Sequence, residues 1–139
     1  YVAQVSPAFP KEFTEACEKA LACPETAVLF VPSPCIAGWK FEEGKTIELA
    51  KLASQSGLFP TFLKEKGSVG VLKHLAPEGS RHQKLLEFLG EQRRFHHLVR
   101  KNKEGIPAPV PGREKELKTI EGWIDKNLKS LNGLTKWDQ

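Results

Sequence analysis

Methionine is absent from these 139 residues, tyrosine occurs once and cysteine three times. A primary translation product begins with methionine, so a chain that opens on Tyr1 within a strand-like run reads as a mature piece or a segment of something larger. Three cysteines are an odd number, none form a Cys-x-x-Cys, and no basic start followed by an apolar run is visible. That is not a disulfide framework, and the expected compartment is reducing, hence cytoplasmic. The longest strongly apolar stretch, 27–31, falls far short of the ~20 residues a membrane helix needs. No membrane association is expected. There is no Ser/His/Asp order, no paired acidic motif and no glycine-rich phosphate loop, so the residues taken alone lack the parts for catalysis. Charge of one sign is also lacking: 21 Lys and Arg stand against 17 Asp and Glu, well mixed, which does not call for nucleic acid.

What is present reads as a folded α/β chain of about one domain. Residues 1–5 are rich in β-formers and predict a strand. Pro10 suits a first helical turn, and Phe9, Phe13, Ala16, Cys17, Ala20 and Leu21 recur at helical spacing, predicting a helix over 10–22. The continuous apolar run 26–31 reads as a parallel strand buried on both faces. Strand, helix and strand then make a right-handed βαβ unit.

The segment 32–39 holds two prolines and a glycine, which exclude regular structure there. It lies beyond the carboxyl end of a strand, where open α/β sheets place their sites. Cys35 sits in it. By chemistry alone this thiol has three readings: a buried small hydrophobe, a nucleophile activated by Lys40 or the start of the next helix, or a metal ligand. A cluster on Cys35 would need ligands from elsewhere, because Cys17 lies on an apolar helical stripe and Cys23 next to Pro24, both structural.

Downstream, a helix is expected over 45–56, with Ile47, Ala50 and Ala53 on one stripe, Leu49 and Leu52 widening it, and Gly57 as its C′ residue. Strands at 58–64 and 68–74 form a hairpin, and 77–80 is a loop. Helix is expected over 82–89, continuing through 91–99 past a weak point at Gly90. Residues 100–112, with three prolines and two glycines, read as an extended linker. A last amphipathic helix spans 114–131, its stripe formed by Leu117, Ile120, Trp123 or Ile124, Leu128 and Leu131. A partner chain is the expected cover for that stripe. The expected division is 1–75, an α/β part, and 76–139, a helical tail and linker packing on partner subunits. His74, His82, His96 and His97 make no ligand set; adjacent residues on a helix point ~100° apart. The basic run 93–101 reads as a solvated or subunit-facing helix end.

Taken in order, Tyr-Val-Ala-Gln-Val-Ser (1–6), a helix, an apolar strand and Ser-Pro-Cys-Ile-Ala-Gly-Trp (33–39) resemble the thiamine-diphosphate-binding β subunit of 2-oxoacid:ferredoxin oxidoreductases, the pyruvate-type members above all. The acidic Phe41-Glu42-Glu43, the helix at 45–53, Leu58-Phe-Pro-Thr-Phe62 and a loosely matched Gln92-Arg-Arg-Phe-His-His-Leu98 extend the likeness over 1–98. It departs where the family's Gly-Arg-Phe is Arg93-Arg94-Phe95.

The resemblance implies the C-terminal part of a thiamine-diphosphate-binding fold, with a parallel sheet, a β-hairpin and an extended helical tail. It implies that Cys35 is the fourth ligand of a [4Fe–4S] cluster whose other three cysteines lie upstream. Thiamine diphosphate and Mg²⁺ would be bound by that upstream segment, with coenzyme A as co-substrate. The implied partners are the rest of the β subunit, α-, γ- and δ-type subunits or domains, and ferredoxin as acceptor. Two alternatives stand beside this reading. One is a small thiol enzyme using Cys35; the other is a non-catalytic interaction module with a basic helical tail.

Overall fold

The computed structural model describes residues 1–68 and 70–133. Strand β1 (Val2–Gln4) leads into helix α1 (Pro10–Ala22), which starts with proline in its first turn and ends before Cys23-Pro24. Strand β2 (Val28–Phe30) follows and pairs parallel to β1, with Val2 opposite Val28. This is the expected βαβ unit. Its second strand is not buried on both faces, however. In the four-stranded sheet of order β2-β1-β3-β4, β2 is at the edge, and Val28, Phe30 and Val31 are exposed. Apolar composition records what a strand is suited to touch, and among the described residues nothing covers this side.

A single helical turn, α2 (Ile36–Trp39), stands where prolines were expected to exclude regular structure. Pro32 and Pro34 both precede the turn, so neither interrupts its hydrogen bonds. A 3₁₀ turn (Glu43–Lys45) opens helix α3 (Thr46–Gln55). Its buried face is Leu49, Ala50, Leu52 and Ala53; Ile47, expected on that stripe, is exposed. Gly57 adopts φ +81° just past the helix, as a C′ glycine does. The hairpin of β3 (Thr61–Lys64) and β4 (Val71–Lys73) is antiparallel, as expected, and β3 also pairs with β1.

The second half departs more from the expectation. Helix α4 (Glu78–Gly90) begins inside the segment expected to be a loop, because Pro77 is its N-cap and disturbs no helical bond. The helix stops at Gly90. Residues 91–99, expected to continue it, form a 3₁₀ turn at Arg93–Phe95 and then strand β5 (Val99–Lys101). The supposed linker is the rest of a second hairpin: β6 (Pro107–Pro109) pairs antiparallel to β5. A side chain at Gly90 would lie 2.8 Å from Pro107 Cβ and 3.4 Å from Val99 Cγ1. The missing side chain is what lets the hairpin cross α4 so closely.

Helix α5 (Glu114–Gly133) returns onto the same core. Its Leu117, Ile124 and Leu128 are buried in one cluster with Leu49 and Leu52 of α3 and Leu85, Phe88 and Leu89 of α4. The stripe expected to need a partner chain is thus covered by this chain's own helices, while Trp123 is half exposed. That cluster takes residues from both sides of position 75. A smaller one, Ala3, Val5 and Ala16, joins α1 to the sheet.

Glu91 ties three of these pieces together. Its carboxylate, only 14% exposed, accepts Lys45 Nζ at 2.9 Å and Lys101 Nζ. Burial by itself would raise the Glu91 pKa; the hydrogen bonds from Lys101 and Lys45 outweigh it and hold the pKa below the usual 4.5. A depressed carboxylate pKa adds stability above the unfolded value, and that stability is lost as pH falls through the folded value. Thermal midpoints measured across pH 2–6, on the order of the carboxylate range, are therefore expected to fall with acid in the wild type. Glu91→Gln removes that part of the fall. Superimposable pH profiles would contradict this role.

Candidate metal centre

Cys35 is built into the turn by its own backbone. Its extended φ and ψ make it the N-cap of α2, and its carbonyl accepts the Trp39 N–H at 2.8 Å. The Sγ then accepts the Gly38 N–H at 3.3 Å. That bond holds the sulfur in one direction. A side chain at Gly38 would place its Cβ 3.4 Å from this sulfur, so the glycine keeps the approach open. Lys40 closes the turn with φ 56° and ψ 66°.

The turn is fastened to the core through Trp39. The indole meets Phe88 edge-on at 5.9 Å and Phe41 at 6.4 Å. The Arg94 guanidinium lies over the Trp39 ring at 4.5 Å and over Phe95 at 4.6 Å. Arg94 Nε donates to Gln92 Oε1 at 2.9 Å, and fully buried Gln92 donates to the Phe88 carbonyl at 2.7 Å. Burial lowers the Arg94 pKa and the neighbouring Cys35 sulfur raises it, with the lowering dominant. Arginine remains a cation here, so a positive charge stands beside the Cys35 sulfur. The Arg93 N–H donates to the Lys40 carbonyl at 3.0 Å, and this main-chain bond brings the 92–95 segment to the Cys35 turn.

Cys35 is exposed, whereas Cys17 and Cys23 are half-buried and free. Among the described residues no group of three or more His, Cys, Asp or Glu could hold a metal ion. The histidines are occupied elsewhere or stand apart: His74 stacks on Phe9 and meets Glu12 at 3.2 Å, His82 bonds Glu121, and His96 and His97 are exposed in a turn rather than on a helix. The residues present thus fit one thiolate of a shared cluster and not a whole site. Arg94 and Gln92 were not singled out from the sequence for this turn. Nothing local distinguishes Arg94 from Arg93; only the tertiary pairing of 40 with 93 does.

No family model matches the chain. Individual relatives do. The pyruvate synthase subunit PorB of Methanosarcina barkeri is 30% identical over 129 residues, which cover 93% of this chain and 39% of that protein. The ketoisovalerate oxidoreductase subunit VorB of Pyrococcus abyssi is 34% identical over 121 residues, 86% of this chain and 38% of that one. The chain belongs to the β subunits of 2-oxoacid:ferredoxin oxidoreductases. The PorB subunit of Thermotoga maritima is 32% identical over 99 residues, covering 71% of this chain and 29% of the relative. The chain spans about two fifths of the length of the first of these relatives. Its mixed α/β architecture with a parallel strand pair agrees with the C-terminal part of the thiamine-diphosphate-binding fold in this β-subunit family. No helix among the described residues is long and apolar enough to cross a membrane.

Proposed function

We propose that this chain is part of a β subunit in an enzyme that oxidatively decarboxylates pyruvate or a related 2-oxoacid to its acyl-CoA. Cys35 is one ligand of a [4Fe–4S] cluster in that enzyme. The observation that carries the reading is the Cys35 turn: an exposed sulfur, an N–H aimed at it, a nearby arginine and, among the described residues, no second ligand, in a chain related to PorB and VorB subunits. When bound, such a cluster supplies one-electron transfer. The work of this chain's own residues is to hold the sulfur. Gly38 N–H fixes its direction, Arg94 sets a positive charge beside it, and Trp39, anchored on Phe88, limits water on the core side of the turn. The other three cysteines, thiamine diphosphate and Mg²⁺ belong to the remainder of the subunit. Coenzyme A is co-substrate, α-, γ- and δ-type subunits complete the assembly, and ferredoxin is the acceptor, in the cytoplasm.

A nucleophilic role for Cys35 is less well supported. Its partner is a backbone N–H, and among the described residues no histidine or carboxylate is bonded to it to act as base. The deciding experiment is an iron-edge anomalous difference map of crystals of the intact complex. An iron peak ~2.3 Å from the Cys35 sulfur, a usual metal–thiolate length, is the expected result. Ordered Cys35 without iron would overturn the assignment.

A further inference from the structure

Arg94 stands against the Cys35 turn, and among the described residues no carboxylate pairs with it. Its guanidinium lies over the Trp39 ring at 4.5 Å and over Phe95 at 4.6 Å, and its Nε donates to Gln92 Oε1 at 2.9 Å. Gln92 is fully buried and donates in turn to the Phe88 carbonyl, so this tether ends in the core. Trp39 is itself bonded into the turn, its N–H donating to the Cys35 carbonyl. Two rings and a tethered hydrogen bond thus fix where the charge stands, and the ionisable group that acts on it is the Cys35 thiol. Lys40 and Arg93 are also cations at the turn. Both are exposed, and among the described residues neither side chain makes a ring contact or a hydrogen bond that would hold its charge in one place.

Reducing an iron–sulfur cluster adds one negative charge to it. A positive charge close by favours the reduced form, so local charge is among the levers that set a cluster's potential. A guanidinium laid flat on aromatic faces keeps its charge, and its planar fork loses less freedom on bonding than a lysine ammonium does. We propose that Arg94 is a positioning residue for the cluster: stacked on Trp39 and Phe95, it holds a fixed positive charge beside the Cys35 turn and so raises the cluster's reduction potential. The inference rests on the reading of Cys35 as a cluster ligand. It gives one residue of the basic run 93–101 a part in electron transfer rather than in solvation.

The test is redox potentiometry of the full-length subunit in its assembled complex, following the electron paramagnetic resonance signal that Cys35→Ser removes. Arg94→Gln is expected to keep its iron and to lower the midpoint potential of that signal. At a fixed applied potential the reduced-to-oxidised ratio should fall by about threefold or more, as loss of one nearby charge implies; threefold is ~28 mV for a one-electron couple. Arg94→Lys keeps the charge but not the flat stacking, and its potential should fall between those of the wild type and Arg94→Gln. Arg93→Gln removes an untethered charge and should shift the potential less. An iron-replete Arg94→Gln complex with the wild-type potential would overturn the proposal. So would Arg94→Lys matching Arg94→Gln, which would make the role one of packing, or matching the wild type, which would make the stacking irrelevant. An equal shift in Arg93→Gln would likewise overturn it, since any surface cation would then serve. If Arg94→Gln fails to hold its cluster, Arg94→Lys decides: a potential below the wild type upholds the proposal and an equal one overturns it. Cys35→Ser separates this inference from the one beneath it. Full iron in that variant removes the ligand assignment, whereas iron lost there with no shift at Arg94 removes the role of Arg94 alone.

Discussion

Cys35→Ser in the full-length subunit is expected to lower its iron content by about four atoms, one [4Fe–4S] cluster, and to abolish electron transfer to the acceptor. Cys17→Ser and Cys23→Ser should leave the iron unchanged, because both thiols are half-buried, one within α1 and one at its C-terminal end. The contrast matters, since general damage to the fold would not separate one cysteine from the other two. Serine is close in shape but offers a harder oxygen in place of a soft thiolate, which suits iron–sulfur chemistry poorly. Cys35 is exposed, so the substitution opens no cavity and the thermal midpoint of the cluster-free protein should barely move. Iron analysis and low-temperature electron paramagnetic resonance of the reduced complex check this. A full iron complement in the serine variant would refute the ligand assignment.

Phe88→Ala is expected to cost about 3–5 kcal/mol of stability, the usual range for deleting a buried aromatic ring. Phe88 has no exposed surface and lies in the cluster where α3, α4, β5 and α5 meet. It also holds Trp39 edge-on, and its carbonyl fixes Gln92, which in turn holds Arg94. The loss should therefore appear twice. Thermal unfolding of the full-length protein should begin at lower temperature, and hydrogen exchange should rise in the Cys35 turn as well as in α4. Phe88→Leu fills most of the space and should recover much of the stability, but not the edge-on contact with Trp39. Destabilisation of α4 with an undisturbed 35–40 segment would show that the core does not position the turn.

The contrast between the two halves shows what a local reading can and cannot reach. Helix α1 was legible to the residue, because its proline start, its apolar spacing and its Cys-Pro stop all lie within the helix itself. The parallel pairing of β1 with β2 followed from the strand–helix–strand order, since parallel neighbours need a crossover of this length. Residues 91–112 misled for a different reason. Val99, Arg100 and Lys101 follow a helix without a strong stop, and prolines at 107 and 109 argue against a strand. Proline is tolerated in β6 because it belongs to a two-stranded ribbon, where one side of the strand forms no ladder. The hairpin exists because Gly90 lets Pro107 close onto α4, a contact 17 positions away that no window on the sequence contains.

The Cys35 site divides along the same line. Sequence alone determined that a cysteine stands in a Pro-Cys-x-x-Gly-Trp turn after an apolar strand, and the order of such segments carried the family. Short-range chemistry settled those features, since cap, turn and thiol are neighbours in the chain. Only the tertiary structure decided that Arg94 rather than Arg93 stands by the sulfur, that Gln92 is the buried link to Phe88, and that Lys40, Arg93 and Arg100 share one cleft. Charge interactions depend on distance through space, and the fold sets that distance by joining residues 40 and 93 with a single main-chain hydrogen bond.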